Sequence, residues 1–251
     1  MTDAHCHVSC GDSSVRELLV GRDFFGVHPW ETLDDGTTGT DGTTGTRRTL
    51  VPDIPVVPDV SSLAALLASL RAQLLANPAA GVGEIGLDRL KSRDISPRMR
   101  EIFEAQLALA LELRRPVVLH GAKCWGQVVT TVCRHLPHSP TPPLPHSPTP
   151  SFLFHGFSRS DGLIPEIVKL NGFISVGPAV LNDHAVNYRE LVKKIPLDRL
   201  LVETDAVVGA RVPTRPHIRD VLAKTAEILN ISAAELERIT DENADRFLGV
   251  V

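Results

Sequence analysis

Five short apolar runs of this chain carry a histidine or a carboxylate inside them or at their ends. His5 and His7 stand in Asp3-Ala4-His5-Cys6-His7, and Glu84 stands in Gly81-Val82-Gly83-Glu84-Ile85-Gly86-Leu87-Asp88. His120 ends Pro116-Val117-Val118-Leu119-His120, His155 ends Phe152-Leu153-Phe154-His155, and Asp205 ends Leu200-Leu201-Val202-Glu203-Thr204-Asp205. Side chains alternate faces along a strand, so His5 and His7 point one way and Cys6 the other. Two imidazoles about 6–7 Å apart on one strand face can reach a single ion. Read by itself, the pair is more readily two unrelated histidines in a loop than a metal site. A carboxylate within an apolar strand is costly unless it is paired or binds a cation, so Glu84 is either a ligand or half of a buried ion pair. Four imidazoles and two carboxylates at successive strand ends are the hard-to-borderline donor set of divalent metals.

Other residues have humbler readings. Asp88 follows the Glu84 strand and suits a loop, a cap or a partner to a ligand. Glu203 precedes Asp205 by two and faces the same side but deeper, as a ligand-orienting group or a structural ion pair. His28, before Pro29-Trp30, is a candidate substrate contact, and Trp30 is a lid or core residue.

Seven apolar segments must position these groups: Thr2–His7, Asp23–Pro29, Gly81–Asp88, Pro116–His120, Ser151–Phe157, Gly172–Pro178 and Leu200–Asp205. Runs of this length bounded by Gly and Pro suit strands buried on both faces, as in a parallel sheet. Helical stripes lie between them. One runs from Ser61 to Ala76, and another through Met99, Ile102, Phe103, Gln106, Leu107, Ala110 and Leu113 with Pro97 in its first turn. Asp161–Leu170 and Arg215–Leu229 are further helices, and Ser232-Ala233-Ala234-Glu235 has the spacing of a capping box. This alternation predicts an α/β fold of parallel β/α units, with function at the C-terminal ends of the strands.

The length, 251 residues, fits one barrel domain over 1–251. Gly36–Thr46 repeats Gly-Thr-Thr-Gly-Thr, and Leu136–Pro150 repeats Leu-Pro-His-Ser-Pro-Thr-Pro. Neither composition packs a core, so both read as exposed insertions, at about 36–46 and 136–150. His138 and His146 within the second are not expected to hold metal. Cys6, Cys10, Cys124 and Cys133 form no CxxC pair and read as free thiols. The net charge of -4 argues against a generally basic nucleic-acid-binding surface, so any such contact must be local. No apolar run is long enough to span a bilayer, and Met1-Thr2-Asp3-Ala4-His5 is no signal peptide. The expected address is cytoplasmic, with no membrane and no obligate protein partner.

Together these segments resemble the TatD-type deoxyribonucleases of the amidohydrolase superfamily. The carrying residues are Asp3–His7, Phe25-Gly26-Val27-His28-Pro29-Trp30, Val82–Asp88, Pro116–His120, Phe154-His155-Gly156-Phe157-Ser158 and Leu201–Asp205. Arg100–Leu107 and Asp241-Glu242-Asn243-Ala244 also resemble the family. The resemblance implies a TIM-like (β/α) barrel and metal-dependent hydrolysis of DNA phosphodiesters. It implies one ion on His5, His7 and Asp205, a second on His120 and His155, and Glu84 between them. Asp205 would also be the base that orients or deprotonates the attacking water. The ions would be zinc, manganese or magnesium. Some relatives are associated with D-aminoacyl-tRNA deacylation, and an inactive scaffold would share the fold.

The chain departs from the family pattern in three places. About eighteen residues separate His7 from Gly26, too few for the usual helix and strand; Val15–Val20 is the best strand candidate, so the barrel is expected to be short or irregular there. Many relatives carry an arginine two residues after the histidine matching His120. Here Lys123 is the nearby cation, without arginine's two-pronged geometry. Arg159 replaces an expected glycine after Ser158. Lys123 and Arg159 are both candidate phosphate contacts.

Overall fold

The structure is a computed structural model that describes residues 1–32, 62–91, 93–136, 150–206 and 217–250. The insertions expected at about 36–46 and 136–150 lie outside these residues, apart from Leu136 and Pro150 at the edges of the second, as do His138 and His146.

Among the described residues, eight parallel strands follow one another in chain order: β1 (Thr2–Cys6), β2 (Arg16–Leu19), β3 (Phe24–Phe25), β4 (Gly81–Asp88), β5 (Val117–Ala122), β6 (Phe152–Phe154), β7 (Gly172–Val176) and β8 (Leu200–Val202). β3 to β8 form one sheet and β1 pairs with β2. A bridge between Val20 and Phe24 joins the two sheets. On the other side, the Asp205 amide donates to His5 O at 3.1 Å and the His7 amide to Ala206 O at 2.9 Å. The result is a TIM-like barrel with an irregular opening stretch. β2 does form within Val15–Val20, but no helix separates it from β1 or β3.

From β3 onward strand and helix alternate among the described residues, with two helices, after β5 and after β7, that the sequence pattern did not predict. α1 (Leu63–Ala76) follows β3, α2 (Pro97–Glu112) follows β4, α3 (Trp125–His135) follows β5, α4 (Ile164–Lys169) follows β6 and α5 (Val186–Val192) follows β7. α6 (Ile218–Leu229) and α7 (Ala233–Leu248) follow β8. Serine caps start three of them: Ser62, Ser96 and Ser232 accept from the amides of Ala65, Met99 and Glu235. The reciprocal capping box instead starts α6, between His217 and Asp220.

Strand alternation splits the core into two. Inward-facing Ala4, Leu18, Phe24, Val118, Leu153, Phe173 and Leu201 fill the barrel, and Phe247 of α7 joins them. Phe247 stacks on Phe24 with ring centroids 5.8 Å apart. Outward-facing residues such as Val82, Leu119, Phe154 and Val202 pack against the helices. The barrel is therefore solid below, and its polar groups collect at the other end.

Two irregularities fall where a site side chain must be re-aimed. Pairing register shifts between Asp3 and Cys6 in β1, and between Val82 and Ile85 in β4, bracketing His5 and Glu84. Close approach in β4 needs glycine. A Cβ on Gly86, whose φ is +151°, would stand 2.0 Å from His120 O, and one on Gly83 would stand 2.7 Å from Val118 Cβ. Among the described residues no helix is long and apolar enough to cross a membrane.

Candidate metal centre

His5, His7, Glu84, His120, His155 and Asp205 come together at the C-terminal ends of the strands. Each arrives by a local device. β1 carries His5, and the turn just past it carries His7. Thr204 locks β1 to the segment after β8 by donating its amide (2.9 Å) and hydroxyl (2.6 Å) to Asp3. β8 ends at Val202, so Glu203 and Asp205 lie in the following turn rather than within the strand. His155 likewise follows β6, with its amide directed at Leu119 O of β5. His28 is placed from the far side: the buried Gln106 amide of α2 accepts from Val27 N at 2.7 Å and donates to Val27 O at 3.2 Å.

Glu84 is the hub. Its Oε2 lies 3.3 Å from both His5 Nε2 and His7 Nε2. Its Oε1 lies 2.5 Å from His120 Nδ1, 2.6 Å from His155 Nε2 and 3.2 Å from His28 Nε2. Asp205 closes the first set, with Oδ1 3.7 Å from Nε2 of both His5 and His7. Asp88 braces the second: its Oδ2 is 2.7 Å from His120 Nε2, while its Oδ1 accepts from the Leu90 and Lys91 amides. Asp88, the last residue of β4, thus caps the turn that follows and holds the His120 ring with Nδ1 toward Glu84.

Charge in the cluster follows from burial and neighbours. Burial opposes ionisation of Glu84, but His155, His120 and His28 together hold it well below the usual carboxylate range. Burial keeps His5 and His155 below the ordinary imidazole value. His120 is also buried, yet Asp88 and Glu84 lift it to about 9. Glu203 is pushed well above its normal range by burial and by Asp205, in spite of hydrogen bonds from Ser175 Oγ and the Gly156 amide. Its Oε1 stays 3.9 Å from His155 Nδ1, so its firm bonds are structural.

The donor set fits divalent ions. Both ring nitrogens of His5 and Nδ1 of His155 are buried without a hydrogen-bond partner. Buried polar atoms are rarely left so, and unprotonated imidazoles are what a metal requires. Among the described residues, three overlapping groups have donor atoms within 4.8 Å of one another: His5, His7 and Glu84; His5, His155 and Asp205; His28, Glu84 and His120. His28, which the sequence suggested only as a substrate contact, thereby enters the cluster. Its place after a strand end was the available clue, but a lone histidine before proline is not distinctive.

An ion that binds the folded chain alone must stabilise it. At about one hundred times its dissociation constant the gain is about 2.7 kcal/mol, which raises Tm by about 5–10 °C in a chain of this size. Titration of metal-stripped protein with zinc or manganese during thermal melting reads this directly; an unmoved Tm across millimolar metal counts against the centre.

Asp205 and Glu203 open onto a cavity of about 990 Å³, also lined by Arg159, His184, Tyr188 and Lys194. Arg159 therefore shares a cavity with Asp205. Lys123 does not line this cavity; it lines a separate cleft. His184 and Tyr188 belong to the β7–β8 connection, which bears no recognisable motif. Asp205, Arg159 and Lys123 hold left-handed backbone, with φ of +47°, +57° and +58°. Such conformations are unfavourable for non-glycine residues and concentrate at functional sites. Trp30 is exposed at the rim, where the Lys91 ammonium lies 3.4 Å from its ring centroid.

A parallel barrel with an imidazole–carboxylate cluster at the C-terminal ends of its strands belongs to the class of TIM-like barrels equipped to hold metal. The chain belongs to the family described as TatD related DNase, whose model matches residues 21–249. It is 29% identical over 175 residues to "Uncharacterized metal-dependent hydrolase YabD" of Bacillus subtilis, covering 67% of this chain and 65% of that protein. It is 29% identical over 180 residues to "3'-5' ssDNA/RNA exonuclease TatD" of Klebsiella pneumoniae, again covering 67% of this chain and 65% of the relative. The chain thus spans just under two thirds of the length of these curated relatives. The crystal structure of YjjV, a TatD homologue from Escherichia coli, superposes with a TM-score of 0.59 at 27% identity, covering 75% of this chain and 71% of that one.

Proposed function

We propose that the chain is a metal-dependent hydrolase that cleaves phosphodiester bonds of DNA, with two divalent ions at the Glu84 cluster. The observation that carries this reading is the division of labour at Glu84, whose Oε2 faces His5 and His7 while Oε1 faces His120, His155 and His28. One carboxylate between two imidazole sets is the arrangement a bridging ligand needs. His5, His7 and Asp205 would hold one ion, and His120 and His155 the other. Ions so held would lower the pKa of an attacking water and neutralise charge on the phosphoryl oxygens.

The chain's own groups supply the rest. Asp205, half-exposed at the cavity mouth, is placed to orient a water and take its proton at a carboxylate oxygen. Arg159, on the same cavity, can hold a phosphate oxygen, and His28 contacts either the substrate or Glu84. Family membership supports the hydrolytic reading, and the Klebsiella relative's name supports a nucleic-acid substrate.

The test supplies metal-loaded protein with single-stranded DNA, duplex DNA and D-aminoacyl-tRNA in parallel. Release of nucleotides that depends on zinc, manganese or magnesium is the expected result. Hydrolysis confined to the aminoacyl ester overturns the nuclease assignment, and inactivity on all three with every metal marks a scaffold.

A further inference from the structure

A second cleft, of about 350 Å³, opens between α2 and α3 beside the turns that follow β4 and β5. Arg89, Arg100, Lys123 and Arg134 line it with Gln127 and Thr130, and among the described residues no carboxylate does. The hydrogen bonds of its arginines go to neutral groups. Arg89 donates to Arg93 O, Arg100 to Gln127 Oε1, and Arg134 to Thr130 O and Thr131 Oγ1. Several arginines elsewhere meet carboxylates: Arg71 with Glu112, Arg189 with Asp183, and Arg238 with Glu235 and Glu242. Even on α2 itself, Arg98 pairs with Glu101. The cationic cleft is thus not the outcome of a local shortage of acids.

Two further features favour an anion there. α3 starts without a side-chain cap, and Gly126 and Gln127 of its first turn line the cleft, so the positive end of the helix faces it. The charges are also spread out. Gln127 and Arg134 are seven residues apart on one helix, a rise of about 10 Å, which is more than a single phosphate spans. A line of cations suits a ligand with anionic groups in series.

The cleft also adjoins the cluster along the chain. Arg89 follows Asp88, which braces His120, and Lys123 lies three residues after His120. We infer that this cleft is a subsite for the phosphodiester backbone of a single-stranded polynucleotide, taking phosphates that lie outside the bond being cut. The inference rests on the nucleic-acid reading above. It also reconciles that reading with a net charge of -4, because attraction is concentrated in one lane rather than over the surface.

Binding can be measured without turnover. A labelled single-stranded 12-mer is titrated by fluorescence anisotropy into the full chain in EDTA over a range of salt, using wild type, Arg100→Gln/Arg134→Gln and Arg71→Gln. The double variant should bind about tenfold more weakly or worse, and its log–log salt slope should fall by about 1.4, the value for two lost single-strand phosphate contacts. Arg71→Gln should match wild type. Wild-type affinity and slope in the double variant overturn the inference, as does competition by inorganic phosphate at the affinity of the 12-mer itself. Cleavage is scored separately with metal restored. Absent cleavage with Arg100- and Arg134-dependent binding removes the nuclease reading but keeps the cleft; cleavage with unaltered binding in the double variant removes only the cleft.

Discussion

Glu84→Gln is expected to reduce metal-dependent hydrolysis at least about a thousandfold, or about 4 kcal/mol of transition-state stabilisation. Glutamine keeps the size of the side chain but offers one oxygen where Glu84 offers two. Its amide nitrogen would face either His5 and His7 or His120 and His155, on the side where a cation belongs. The charge that offsets a divalent ion is lost as well, so elemental analysis should find fewer than the wild-type number of ions. The barrel should persist, because the apolar contacts that hold β4 come from Val82, Ile85 and Leu87. Activity, metal content and a cooperative thermal transition, measured on one preparation, separate these effects. Near-wild-type turnover with a full metal complement would sink the bridging role.

Asp205→Asn should lower kcat by about a hundredfold to a thousandfold and leave KM within a few-fold. The side chain stands 3.7 Å from both His5 and His7, opens to the cavity and holds φ of +47°. Asparagine can occupy this position, and it tolerates left-handed backbone better than most residues. What it cannot do is accept a proton, and a positioned base is worth about 10²–10⁴ in rate. The contrast with Glu84 lies in the ions: Asp205→Asn should lose at most one, whereas Glu84→Gln disturbs both. A variant that keeps wild-type kcat would remove Asp205 as the base.

The site was more legible in the sequence than the frame around it. His5 and His7 obey the two-residue period of a strand, and Glu84 is conspicuous as a charge among Val, Ile, Leu and Gly. His120, His155 and Asp205 terminate apolar runs, so their common end of the barrel follows once the strands are parallel. Strand lengths were harder to read: β8 stops at Val202 although the apolar run suggests Asp205, and β3 keeps only Phe24–Phe25 of Asp23–Pro29. Backbone pairing ends where the chain turns to present polar groups, and composition does not mark that point. β2 was visible only as the best candidate, because Arg16-Glu17-Leu18-Leu19 is short and has no helix to either side. α3 escaped notice for a related reason. Its stripe of Trp125, Val128, Val129 and Val132 is regular, but Cys124 gives no capping signal. The Lys123 cleft depends on α2 and α3 lying side by side, and no spacing along the chain reveals that.

The seam between β1 and β8 bears on how the chain reaches this state. Asp3 and Thr204 meet across 201 positions, and Thr2 reaches Asp241 across 239. Contacts of such separation form late, since the ordering of the intervening chain opposes them until other structure has formed. β4 to β7 and their helices can assemble from nearer neighbours. The first strand, which carries His5, must then wait for the last quarter of the sequence. Until it docks, the facing edges of β1 and β8 offer unpaired backbone of the kind that other chains can pair with, so aggregation is expected to compete with closure of this seam.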